Sequence, residues 1–265
     1  MTVVLIAVGI FAGLGVLFGL ILAISSRVFA VKTDPRIEQI REALPGANCG
    51  GCGYSGCAGF AEAVVKGEAP ANACRAGGEA AANRIGEVMG ISVQALEPMR
   101  AEVLCSGGCG KAKEKCSYEG AHDCIAADRM YGGAKACPAG CMGLGTCVDI
   151  CRYDAISVVD GVAKVDPKKC TGCGACSQIC PKHLIEMIPR RVKYSVVCHS
   201  PESGKETRQY CDAGCIGCKL CQKFCPNDAI HVTGALATID YSKCTSCGIC
   251  AQKCPRKIIR LLRED

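Results

Sequence analysis

The chain has 265 residues, a formal net charge of +6 and 26 cysteines, with no tryptophan and few aromatics. In a short secreted chain so much cysteine would mean a disulfide scaffold, but here the length and the grouping of the cysteines into ligand-like runs exclude that. The charge counts every thiol as neutral; ligated cysteines are thiolates, so the basic balance is no nucleic-acid footprint.

Residues 3–24 carry no charge and no proline. About 20 apolar residues span a bilayer as a helix, so this stretch is expected to be a membrane anchor. Arg27, Lys32, Arg36 and Arg41 follow it, which by the positive-inside rule puts the rest of the chain on the cytoplasmic side. A cleaved signal peptide is the alternative, but the basic start of one is missing. Gly9 with Gly13, and Gly15 with Gly19, leave room for a second helix to approach.

Asp34 and Pro35 signal a short helix after a linker. Cys49, Cys52, Cys57 and Cys74 follow with spacing C-x2-C-x4-C-x16-C, interleaved with glycines that allow sharp turns between ligands. Residues 60–65 read as a helix leading towards Cys74, and residues 79–89 as a helix whose polar faces suggest a spacer. The four-cysteine site is expected to hold a [4Fe-4S] cluster, with zinc as the alternative.

Two runs near the C-terminus have the spacing C-x2-C-x2-C-x3-C-P: Cys215, Cys218, Cys221 and Cys225, then Cys244, Cys247, Cys250 and Cys254. That is the bacterial two-cluster ferredoxin pattern, in which the fourth cysteine of each run ligates the other cluster. Cys215, Cys218, Cys221 and Cys254 therefore form one set, and Cys244, Cys247, Cys250 and Cys225 the other. Zinc ribbons use two pairs with a longer spacer instead. Between the runs, residues 228–233 and 236–240 flank Gly234 as a short hairpin.

A shift of 74 residues superposes an earlier copy. Cys141, Cys147 and Cys151 fall on Cys215, Cys221 and Cys225, and Cys170, Cys173, Cys176 and Cys180 fall on Cys244, Cys247, Cys250 and Cys254. Further back, Cys137 falls on Cys211 and Cys124 on Cys198. The earlier copy has Leu144 where the later one has Cys218, and Arg152 in place of Pro226. Cys151, Cys170, Cys173 and Cys176 make a complete set, whereas Cys141, Cys147 and Cys180 lack a fourth thiolate. The nearest spare one is Cys137. Cys105, Cys109, Cys116 and Cys124 then remain as a further set, for six clusters in all. Cys198 and Cys211 are left as ligands or as small buried hydrophobes.

His122, His183, His199 and His231 are scattered and expected to be solvated or packed. Lys253, Arg256, Lys257, Arg260 and Arg263 make a basic C-terminus, read either as a solvated helix end or as a landing patch for an acidic partner. No glycine-rich dinucleotide loop, catalytic triad or carboxylate pair suited to organic chemistry is present.

The Cys49-Gly-Gly-Cys52-Gly-Tyr-Ser-Gly-Cys57 segment resembles the iron–sulfur domain of corrinoid iron–sulfur proteins. Together with the N-terminal helix, Gly140-Cys141-Met-Gly-Leu-Gly-Thr-Cys147 and Gly214-Cys215-Ile-Gly-Cys218-Lys-Leu-Cys221, in that order, the chain resembles the family of B subunits of the Rnf complex, an ion-translocating ferredoxin:NAD oxidoreductase of bacterial membranes. The resemblance implies electron transfer from reduced soluble ferredoxin towards membrane and NAD-binding subunits, coupled to Na+ or H+ translocation. Shorter members of the family lack the additional ferredoxin copy. The fold expected is α+β: a transmembrane helix in residues 1–30, a four-cysteine domain in 31–90, a cysteine-rich connector in 91–136, and ferredoxin-like domains in 137–190 and 191–265. An iron–sulfur subunit of another membrane redox enzyme, with a substrate-binding cluster, is the alternative; a zinc scaffold is the bland one.

Overall fold

The computed structural model describes residues 1–28 and 34–262, so Lys32 and Arg263 lie outside it. Helix α1, Thr2–Val28, contains a 19-residue stretch, Gly9–Arg27, long and apolar enough to cross a membrane by length and composition. None of that stretch is buried against the rest of the chain. Phe11, Phe18 and Leu22 stand open, an apolar surface that water does not favour. Gly9, Gly13, Gly15 and Gly19 have open space beside them.

Helix α2, Pro35–Ala43, starts where Asp34 accepts a hydrogen bond from the Arg36 backbone N–H at 2.9 Å, with Pro35 in the first turn. It packs with α3, Cys57–Val65, and α4, Gly78–Met89, around Ile40, Phe60 and Ile85. Helix α4 is thus part of a core and not the spacer expected from its polar residues. Ala81, Ala82, Ile85 and Gly86 share one face, small enough for close approach.

Strand β1, Met99–Val103, is followed by α5, Cys124–Met130, and α6, Thr146–Asp149. Strands β2, Ile156–Val159, and β3, Val162–Val165, form a hairpin. After α7, Ala175–Ile179, strand β4, Ile185–Pro189, returns to pair antiparallel with β1. The later half repeats this plan. Strand β5, Tyr194–Val196, precedes α8, Gly204–Tyr210, and α9, Leu220–Lys223. Strands β6, Ile230–Thr233, and β7, Leu236–Ile239, form the hairpin. Helix α10, Ile249–Lys253, leads to β8, Ile259–Leu261, which pairs with β5.

The two hairpins keep the 74-residue register: Ile156 faces Val165, and Ile230 faces Ile239. The outer pairs do not. Val103 faces Ile185 and Val196 faces Ile259, so Val103 is the counterpart of Val196. Hydrogen bonds from Leu104 N to Leu184 O (2.7 Å) and from Val197 N to Ile258 O (2.8 Å) carry the match onward. Cys105, two residues beyond β1, therefore occupies the place of Cys198, two residues beyond β5. The match of Cys124 to Cys198 in the sequence is coincidental, because the earlier half carries extra chain between Cys105 and Cys124. That extra chain crosses to the later half: Lys113 N donates to Tyr210 O and Asp212 N to Lys111 O, both at 2.8 Å.

Candidate metal centres

Cys49, Cys52, Cys57 and Cys74 line one cavity, and Cys173 of the earlier ferredoxin-like half reaches into it. Asn48, held at a positive φ of 46°, turns its side-chain oxygen onto the Cys57 N–H at 2.8 Å and starts α3 there. A hydrogen bond with Cys173 pulls the Cys49 thiol down to about 6 and pushes Cys173 up. Gly51 sits against the Cys173 backbone, where a Cβ would lie 2.8 Å from its carbonyl carbon. Tyr153 and Thr171 lie close by with their hydroxyls buried.

Cys170 and Cys176 are buried, with Cys151 packed against the same core. Burial pushes the Cys176 thiol up to about 11, and charges on Cys170 and Cys151 push the same way. Backbone N–H groups aim at these sulfurs: Ala155 N lies 3.4 Å from Cys151 Sγ and Ala101 N 3.5 Å from Cys170 Sγ. In the later half, Cys225 lines a cavity with Cys244, Cys247 and Cys250. Its sulfur accepts from Ala229 N at 3.3 Å, the counterpart of the Ala155 bond. Burial raises the Cys221 thiol to about 11, and Cys215, Cys218 and Cys254 are the neighbours whose charge adds to it.

Around Leu144 the structure groups the thiols differently from the run-based split. Cys124 lines a cavity with Cys141, Cys147 and Cys180. Helix α5 begins at Cys124, whose N–H donates to Thr146 Oγ1 at 2.7 Å, and Thr146 in turn bonds Asp123 at 3.1 Å. Burial pushes the Cys147 thiol up to about 12, reinforced by Cys141 and Cys124. Cys137 lies elsewhere, in a cavity with Cys105, Cys198 and Cys211. Cys109 and Cys116 are exposed and line none of these cavities. For Cys211 the sequence signal is its match to Cys137 one repeat away; for Cys198 the repeat points to Cys124, whereas the strand register pairs it with Cys105.

Arg256 is not free for a partner, since it donates to Cys211 O at 2.9 Å and Gly214 O at 3.3 Å. The residues after it form strand β8 rather than a helix end, and Arg260 lines a cleft with Glu102. Lys253 and Lys223 lie over the half-exposed Phe224 ring at 5.0 and 5.9 Å. His199 lines the Cys105 cavity.

Among the described residues, no three His, Cys, Asp or Glu side chains converge as closely as a single metal ion requires. The cysteines instead surround wider spaces with backbone N–H groups pointed at sulfur, a donor set suited to clusters of iron and sulfide. Fold and cages together define an iron–sulfur protein of the electron-transfer class.

Comparisons carry this further. The Fe-S cluster family matches residues 44–76, the 4Fe-4S dicluster domain residues 214–258, and the 4Fe-4S binding domain residues 163–186. The chain is 43% identical to the B subunit of the Na(+)-translocating ferredoxin:NAD(+) oxidoreductase complex of Acetobacterium woodii, over 97% of this chain and 77% of that one. It is 44% identical to the B subunit of the proton-translocating ferredoxin:NAD(+) oxidoreductase complex of Clostridium ljungdahlii, over 98% and 93%. It is 42% identical to the B subunit of the ion-translocating oxidoreductase complex of Methanosarcina acetivorans, over 98% and 99%. The chain belongs to this family of Rnf complex B subunits.

Proposed function

We propose that the chain is the membrane-anchored electron-transfer subunit of a ferredoxin:NAD oxidoreductase that drives Na+ or H+ translocation. It takes electrons from soluble ferredoxin and passes them to membrane and NAD-binding subunits of the complex. Six [4Fe-4S] clusters serve as one-electron carriers when bound. The chain's own residues space, insulate and tune them. Five sites are the sets Cys49/Cys52/Cys57/Cys74, Cys151/Cys170/Cys173/Cys176, Cys124/Cys141/Cys147/Cys180, Cys215/Cys218/Cys221/Cys254 and Cys225/Cys244/Cys247/Cys250, in two tandem two-cluster units behind the four-cysteine domain.

The observation that carries the reading is that the cages stand side by side. Cys173 lines the cavity of Cys49, Cys52, Cys57 and Cys74, and Cys147 and Cys180 pack in the same core as Cys151, Cys170 and Cys176 of the next set. Cys254 and Cys225, which belong to different sets, pack around one core. Lys253 and Lys223 beside the exposed Phe224 ring suit an acidic redox partner. Arg27 in the last turn of α1, with Arg36 and Arg41 beyond it, supports a cytoplasmic placement of the cysteine domains. A substrate-binding open cluster was suggested by Leu144, and Cys124 beside that site removes the motive for it.

The test is metal and sulfide analysis of the anaerobically purified full chain, with low-temperature electron paramagnetic resonance. About 24 iron atoms and as many sulfides are expected. Deleting residues 1–28 should release a soluble protein with the same iron content. A zinc-loaded chain, or iron for only two clusters, would end the proposal.

A further inference from the structure

Cys105, Cys137, Cys198 and Cys211, which line one cavity, lie outside all three matched family segments. We infer that these four cysteines, two from each ferredoxin-like half, hold a [4Fe-4S] cluster at the joint between the halves. The inference rests on the electron-transfer reading above and assigns its sixth site.

The cavity has an approximate two-fold plan. Strand register makes Cys105 the counterpart of Cys198, and the 74-residue repeat makes Cys137 the counterpart of Cys211. The surrounding hydrogen bonds repeat as well. Cys141 N points at Cys105 Sγ at 3.4 Å, and its counterpart Cys215 N points at Cys198 Sγ at 3.3 Å. Gly107 N adds a second contact to Cys105 Sγ at 3.4 Å, and Ala213 N lies 3.3 Å from Cys211 Sγ. Such N–H groups stabilise thiolates and cluster sulfur alike. Both leading cysteines, Cys141 and Cys215, thus bring their backbone to this cavity while their own side chains face the next set.

Two further features call for an anionic occupant. Lys135 lines the cavity and is only 7% exposed. Its ammonium donates to Gly161 O at 2.6 Å, and among the described residues no carboxylate pairs with it. A buried cation without a counter-ion is costly, and a cluster with four thiolates supplies the missing negative charge. The hydroxyl of Ser106, in the same wall and buried, also has no hydrogen-bond partner among the described residues. Four neutral thiols would leave both unmet.

Counting gives a test that does not depend on breaking the joint. Removing the exposed Cys109 and Cys116 leaves 24 cysteines, enough for six sites only if Cys198 and Cys211 are ligands. The full-length Cys109→Ala/Cys116→Ala variant is expected to keep about 24 iron atoms, whereas Cys198→Ala and Cys211→Ala should each fall to about 20 or yield a three-iron resonance signal. If the Cys198 or Cys211 variants fail to fold, the iron content of the Cys109/Cys116 variant still decides. A drop to about 20 in that variant overturns the inference, as does full iron in the Cys198 and Cys211 variants. So does a wild-type chain with about 20 irons, unchanged in the Cys109/Cys116 variant, although the iron–sulfur reading then stands. Zinc in place of iron defeats that reading itself.

Discussion

Replacing Gly51 by alanine tests how the four-cysteine domain is seated. A Cβ there would lie 2.8 Å from the Cys173 carbonyl carbon and 3.2 Å from the Cys173 Cβ. Cys173 belongs to a tight ligand loop, so backbone rather than a flexible side chain would have to yield. Overpacking of this kind costs about 1–3 kcal/mol. A middle value of about 2 kcal/mol weakens docking of the domain on the ferredoxin-like half by about 30-fold. Iron content should be unchanged, because no ligand is touched. The exposed segment joining the two parts, around Ile91 and Leu96, should be cut faster by protease by a similar factor. Magnetic coupling between the reduced clusters of the two parts should weaken. Gly50→Ala is the control: it strains the same loop at a positive φ of 68° but meets only Tyr54, at 3.8 Å. Equal proteolysis and equal coupling in Gly51→Ala and wild type would refute the docking argument; matching losses in Gly50→Ala would assign them to loop strain.

Cys124→Ala should lower iron from about 24 to about 20 atoms or leave a three-iron signal, and adding Leu144→Cys should restore the count by rebuilding the ferredoxin run. Full iron in Cys124→Ala would remove Cys124 from its set. Glu102 in β1 has its carboxyl pushed up to about 7 by burial, against the opposing pull of Arg100 and Arg260. Its neutral form is favoured in the folded state, so ionisation costs stability as pH rises from about 4.5 through about 7. Glu102→Gln should therefore raise the thermal midpoint at pH 8 but hardly at pH 4. Discounted for partial exposure, the gain is on the order of 2 kcal/mol. A gain that is the same at both pH values would show that the group does not titrate in this window.

Local spacing made much of this protein legible. The uncharged 22-residue run reads as a helix long enough for a bilayer because hydropathy and length are properties of the segment itself. The hairpin around Gly234 follows from short β-prone stretches flanking a residue that accepts positive φ. The 74-residue repeat is visible in the cysteine spacing, and Leu144 marks the earlier run as one thiol short of the later one. Which thiol comes to that place is not a local property. Cys124 and Cys137 are both close to Leu144 along the chain, yet α5 and Thr146 hold the first beside Cys141, while the Cys137 turn faces the other half. The joint could be seen only once β1 had paired with β4 and β5 with β8, since that pairing makes Cys105 equivalent to Cys198 across an insertion that the sequence register conceals. Ligand runs on one loop are fixed by the backbone between them; a cage assembled from two halves is fixed by how those halves pack.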